Sequence, residues 1–127
     1  MAEVNLNKKL DGFDAGLDSV IIVSYLEGIP GGRALDVTGF SDAVISAGHV
    51  VIKETATGEY KPMPVSGGDY GALPSGHTIV GVTVSTVTTD EASVSIMVRG
   101  SVNKVASRYP VTPAIEAALP LIRFTQD

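Results

Sequence analysis

A mainly β fold is predicted by three features of this sequence. Val, Ile and Thr together supply 36 of its 127 residues, against only 8 Leu, and stiff β-branched side chains suit a pleated sheet better than a helix. Apolar residues alternate with small or polar ones over Thr78–Val87 and again over Ser93–Arg99. Glycine-containing turn signals (Gly31-Gly32, Ala47-Gly48, Gly67-Gly68) separate short apolar runs along the chain.

Taken in order, Met1–Asp18 shows no sustained period of either kind, with isolated apolar residues at Val4, Leu6, Leu10, Phe13 and Leu17. It reads as a frayed terminus, or as an arm that orders against a partner by alternating Val4 and Leu6 as a short strand. Ser19–Leu26 (SVIIVSYL) is the first strand, buried on both faces in its middle. It ends in EGIPGGR, where Pro30 fixes φ and Gly31-Gly32 permit positive φ. Leu35–Lys53 packs a turn at Asp36–Gly39, a strand at Val44-Ile45, and a return strand that starts at His49 after the Ala47-Gly48 reversal. Thr55–Glu59 is a polar turn. Tyr60–Val65 alternates, but Pro62 and Pro64 cannot donate to a ladder, so it is an edge strand or an extended loop.

Ser66–Gly76 is the longest turn-rich stretch. Beyond it, Val80, Val82 and Val84 should share one face of a strand, and Val94, Ile96 and Val98 the inward face of the next. Ser95, Met97 and Arg99 then face outward, and the two strands form a hairpin across Thr88–Glu91. Thr112 can N-cap a short helix with Pro113 at its first position, which Pro120 ends before a last strand at Leu121–Phe124.

The length indicates one domain, and a chain of this size buries roughly two-thirds of its extended-state surface on folding. There is no cysteine, which excludes a disulfide framework and thiolate chemistry. A net charge of −5 with nine scattered basic residues argues against a nucleic-acid footprint. No apolar run approaches the length that spans a bilayer, and MAEVNLNKKL has no apolar core of a secretory signal. No membrane partner and no nucleic-acid partner are expected.

The residues that carry chemistry are sparse and scattered. His49 and His77 each follow a glycine at the start of a strand, with no His-x-His or HExxH spacing, so no metal site is expected. Gly31-Gly32-Arg33 and Gly67-Gly68 precede no helix that would hold a phosphate and read as turns. Asp36-Val37-Thr38-Gly39 has an insertion relative to an aspartic-protease loop, and Asp90-Glu91 is a solvated turn pair. No GxSxG elbow supports a Ser–His–Asp triad. Catalytic residues and cofactors are expected to be none. A surface recognition loop remains open at Asp69 and Tyr70; Tyr70 is the best placed of four Tyr and three Phe, with no Trp, to offer an exposed aromatic face.

The ordered series LDVTGFSDAVISAGHVVIK, YKPMPV, GALPSGHTIVGV, SVSIMVRGSVN and AALPLIRF resembles the head decoration (head fibre-like) proteins of tailed bacteriophages, with the lambda-type decoration fold. The resemblance covers about Leu35–Phe124. It implies a small β-barrel or β-tulip-like domain over residues 19–127, with one short C-terminal helix and a flexible arm at 1–18. It also implies a homotrimer that binds the major capsid protein at three-fold positions on the outside of the assembled head, so that the protein is made in the bacterial cytoplasm and resides on the virion. Val4, Leu6 and Leu10 fall in the place of the family's capsid-binding arm. The alternative expectation is a carbohydrate- or cell-binding β module on the virion surface; an enzyme is not expected.

Overall fold

The computed structural model describes residues 18–125, and these form a mainly β structure with two short α-helices. The order is α1 (Asp18–Ile21), β1 (Ile22–Gly28), β2 (Arg33–Ala34), β3 (Val44–Ile45), β4 (Val50–Glu54), β5 (Tyr60–Pro62), β6 (Val65–Ser66) and β7 (Asp69–Tyr70). There follow β8 (His77–Thr83), β9 (Val87–Thr88), a 3₁₀ turn at Thr89–Glu91, β10 (Ser93–Val94), β11 (Ile96–Asn103), α2 (Pro113–Ala118) and β12 (Ile122–Thr125). The main sheet runs β1-β11-β8-β4-β5, with β12 parallel to the far end of β11. Three two-stranded ladders, β2–β10, β3–β9 and β6–β7, surround it. Among the described residues β1 and β5 stay as edges, so the sheet is open rather than closed into a barrel.

The main sheet is covered on both faces. Along β4, Val50 and Ile52 enter one apolar cluster with Met63, Val82, Met97, Val102, Ile115, Leu119 and Ile122. Val51, pointing the other way, joins Leu35, Ile45, Val94 and Ile96 in a second. Opposite faces of a strand thus feed opposite cores, as a period of two requires. Complete burial of a Val or Ile side chain contributes about 1.5–3 kcal/mol, and Val50, Val51, Ile52, Val82 and Ile96 are all essentially inaccessible to water. The ladder they form is the rigid centre.

Several sequence expectations are corrected here. Val80 does not share a face with Val82. The β4–β8 register steps from Val51↔Gly81 to Ile52↔Ile79, which makes Val80 the extra residue of a bulge; Val80 packs on the second cluster, while Val82 and Val84 pack on the first. Met97, expected outside, is fully buried because β11 has neighbours on both sides and cover on both faces. β1 is the reverse case: it is an edge strand, with Val23, Tyr25 and Leu26 exposed, and the buried residue of SVIIVSYL is Ile21 in the short helix before it. Val44–Ile45 does not pair with the strand after Gly48; its partner is Val87–Thr88. The link between β8 and β11 is less a simple hairpin than a ladder of Ile96↔Thr83 and Met97↔Val82, extended by the Val84 amide to the Ser95 carbonyl. The chain between them makes β9 and β10, each paired elsewhere.

Other expectations match. Thr112 caps α2, its Oγ1 accepting from the Ile115 amide at 3.3 Å, with Pro113 in the first position. β5 is an edge strand carrying Pro62 at its end. Gly48 holds the reversal before β4 at φ +81, where a side chain would be strained. Asp18, assigned from sequence to the arm, belongs to the folded body: its carboxylate accepts from the Thr86 amide at 2.9 Å and from the Thr86 hydroxyl at 2.5 Å.

Gly81 of β8 packs directly against the backbone of β11. A Cβ there would collide with the Met97 carbonyl oxygen and stand 2.9 Å from Ile96 Cγ2, and neither backbone nor buried side chain has room to give. Gly81→Ala is expected to destabilise the protein by about 2 kcal/mol or more, read as a lower denaturant midpoint at unchanged slope. An unchanged midpoint refutes the tight-approach argument.

Candidate functional site

Three places in the structure bring polar or exposed apolar groups together. The first is an aromatic hub around His49, which follows Gly48 and precedes β4. Its ring meets Phe40, Tyr70 and Tyr109 edge-on, with centroids at 5.4, 5.2 and 5.8 Å. His49 Nε2 lies 2.9 Å from the Met63 carbonyl; a carbonyl only accepts, so Nε2 carries the proton and donates. The Tyr70 hydroxyl accepts from the Val50 amide at 3.1 Å, and the Tyr109 hydroxyl donates to Asp42. Arg108 Nε donates to that same hydroxyl at 3.4 Å. Burial pushes the Tyr70 phenol up, and burial with Asp42 beside it does the same for Tyr109. The hub holds four loops onto the sheet and offers no reactive group to solvent.

Burial lowers the His49 imidazole to a pKa of about 4, against the smaller opposing effect of the Met63 carbonyl. The imidazole is therefore neutral in the fold at about pH 7. The unfolded chain takes up its proton near the ordinary value of 6.5, so the stabilising difference is complete above about 6.5 and is lost as pH falls towards 4.

The second place is a pocket of about 290 Å³. It is lined by Asp36, Thr38, Phe40 and Ser41 of the loop after β2, by Ile52 of β4, by Lys61 and Pro62 of β5, and by Pro64, Val65, Pro74 and His77. Asp36 Oδ1 accepts from the Thr38 amide at 3.1 Å, an Asx turn that starts the loop. The Thr38 hydrogen bonds hold the Asp36 carboxyl below its ordinary range. Lys61 Nζ donates to Glu54 Oε1 at 2.9 Å and faces His77 Nε2 at 3.4 Å. His77 Nδ1 lies 2.9 Å from the Ser75 carbonyl, which fixes the proton on Nδ1 and leaves Nε2 to accept from Lys61. The Glu54 hydrogen bond raises the Lys61 ammonium, and Lys61 lowers Glu54 in turn.

The third place is the edge strand β1. Val23, Tyr25 and Leu26 are 54%, 50% and 64% exposed, and among the described residues the outer side of β1 pairs with no strand. Tyr25 lies opposite Gly100, and the Gly100 amide donates to the Leu121 carbonyl. Tyr25 of β1 and Leu121, the residue just before β12, thus both neighbour Gly100, and both are exposed. Apolar exposure beside an open ladder is the usual mark of a surface that meets another chain.

The residues singled out in the sequence distribute unevenly over these places. Val4, Leu6 and Leu10 lie outside the described residues. Asp69 and Tyr70 form β7, a two-residue ladder with β6 around Gly67-Gly68. Asp69 is exposed, but the Tyr70 ring turns inward onto His49 and its hydroxyl end is buried, so it presents no aromatic platform. No group of three or more His, Asp or Glu that would hold a metal occurs among the described residues, and no helix among them is long and apolar enough to cross a membrane. The pocket was missed in the sequence, where Asp36–Gly39 read only as a turn; the cluster of prolines at 62, 64 and 74 was the signal of a rigid wall.

No family model matches the sequence, and no curated protein and no solved structure is significantly similar to it.

Denaturant titrations at a series of pH values test the hub. Between about pH 6.5 and pH 4 the His49 contribution is expected to remove about 3 kcal/mol of stability, from a pKa difference between 6.5 and about 4. His49→Gln keeps a donor for Met63 without a titrating ring, and its stability should vary distinctly less over that interval. An equal slope in both proteins would show that other groups control the acid limb.

Proposed function

We propose that this protein is a capsid-decoration protein of a tailed bacteriophage or prophage, self-associating as a trimer and binding the outer surface of the assembled head. The observation that carries the reading is the apolar edge at β1, where Val23, Tyr25 and Leu26 are exposed and, among the described residues, the outer side pairs with no strand. It agrees with the series of motifs from Leu35 to Phe124, which resembles the decoration family. A protein of this kind works through surfaces, and its chemistry is association.

The physical account is short. Backbone groups along a strand edge supply directional hydrogen bonds to an added strand, and the exposed side chains supply apolar area. Three copies joined in one trimer engage a three-fold position together, so weak single contacts add through effective concentration. Binding present only on the assembled shell stabilises that shell by mass action.

Decoration-free heads of the parent phage provide the test. Added protein should bind saturably and raise the temperature or osmotic shock at which heads release DNA. Leu26→Lys and Val23→Lys, both at exposed positions that leave the core intact, should lower capsid binding at least tenfold or convert a trimer to a monomer by light scattering. Deleting residues 1–17 tests the arm separately. Heads that bind no protein saturably, or variants that bind and assemble like the parent, would sink the proposal.

A further inference from the structure

The pocket beside β5 joins none of the surfaces used above, yet it is built in a way that asks for a ligand. Its volume, about 290 Å³, lies at the lower end of small-molecule sites, enough for one ring rather than a chain of them. Three prolines, at 62, 64 and 74, and the ring of Phe40 make much of the wall. Proline surfaces are rigid and lose no rotamer freedom when covered. The same lining carries a carboxylate, an ammonium and two hydroxyls, from Asp36, Lys61, Thr38 and Ser41.

The charges that line the pocket balance: one acid, Asp36, and one base, Lys61. Each also has compensation already in place. Lys61 is paired with Glu54 at 2.9 Å, and Asp36 accepts from the Thr38 amide at 3.1 Å. An ionic ligand would compete with these partners. What remains on offer is neutral hydrogen bonding. An ammonium has three protons; Glu54 and His77 take two, which leaves one. A carboxylate has about four acceptor sites, more than the Thr38 loop uses. A donor and an acceptor set together against an apolar wall match a ring that has hydroxyls on its rim and C–H groups on its face.

We infer that this pocket binds a single neutral pyranose unit, with Asp36 accepting from and Lys61 donating to ring hydroxyls while Phe40 and the prolines cover the C–H face. The ligand class is a saccharide, such as the terminal unit of a cell-surface glycan. The inference stands apart from capsid binding, since it uses no residue of β1, and either can fail without the other.

The test is an amide chemical-shift titration of the full chain with methyl glycosides of glucose, galactose, mannose and N-acetylglucosamine, each taken to tens of millimolar. At least one should give saturable shifts confined to Thr38–Ser41, Lys61–Val65 and His77, with a millimolar midpoint. Asp36→Asn retains the oxygen that accepts from Thr38 and so preserves the loop, but should weaken that midpoint about tenfold, the scale for losing a charged hydrogen-bond acceptor. Ser41→Trp, from an exposed position on the rim, should fill the pocket and abolish the shifts at an unchanged melting temperature. Three results would overturn the inference: no saturable shift with any glycoside, shifts that persist unchanged in both variants, or a response to zwitterionic amino acids in place of the sugars.

Discussion

The pairing of β4 with β8 is the constraint on which the rest of this molecule depends. Both strands are covered on both faces, so neither tolerates a shift of register: a slip by one residue would exchange Val50 and Ile52 with Val51 between two cores of different shape. The bulge at Val80 is the local adjustment that lets this ladder fill both cores at once. From Val50↔Val82 down to Gly81 the alternation delivers side chains to one assignment, and beyond the bulge Ile79 is restored to the face of Ile52. Gly81 then permits β11 to come within backbone contact, and β11 in turn carries β1 and β12. The order of dependence runs outward from β4 and β8 to the edges.

The His49 hub connects this centre to the surface features. Its imidazole binds the Met63 carbonyl, and Met63 lies between Pro62 and Pro64, both on the pocket wall. Phe40 touches His49 on one side and lines the pocket on another. A buried neutral histidine therefore ties together two of the segments that line the pocket. This also explains why an imidazole serves better than an apolar ring at this position. Only a donor satisfies the Met63 carbonyl where water is excluded, and a buried carbonyl left unpaired costs about 1–3 kcal/mol.

How far this was legible in the sequence follows from the range of the interactions. The fold class, the cap at Thr112 with Pro113, the edge character of Tyr60–Pro62 and the turn at Gly48 were readable, because propensity, capping and proline geometry act within a few residues. The faces of β8 and β11 were not. Alternation assigns Val80 and Val82 to one side, and only the partner strand β4 reveals the extra residue between them. Met97 looked external beside Ser95 and Arg99, but this sheet is covered on both faces, so the centre of β11 has no solvent face. The exposed β1 was misread for a similar reason, since SVIIVSYL is as apolar as a central strand and its edge position depends on pairing with β11 across a long stretch of sequence, as in Ile22↔Val102. The pocket needed three separated segments, around Asp36, Lys61 and His77, and nothing local marks their convergence. Tyr70 shows the opposite error: a tyrosine in a glycine-rich loop looks exposed until His49 and Val50 give its ring and hydroxyl a buried place.

The geometry of the sheet separates the two surfaces that remain open. β1 and β5 lie at opposite ends of the order β1-β11-β8-β4-β5. Four inter-strand steps of about 4.8 Å place them about 19 Å apart, before twist is counted. A partner that adds to the β1 edge extends the sheet away from β5, and so leaves the mouth between Asp36 and His77 uncovered. The two edges also differ in chemistry in the way this division requires. β5 ends in Pro62, which cannot donate to an added strand, and its rim is charged by Lys61, Glu54 and Asp36; these are the features that stop an edge from recruiting another strand. β1 has no proline and shows Val23, Tyr25 and Leu26 instead, and its register on β11 shifts at three points. One end of a single sheet is thus suited to joining other chains, and the other is blocked against them while keeping a small pocket open to solvent.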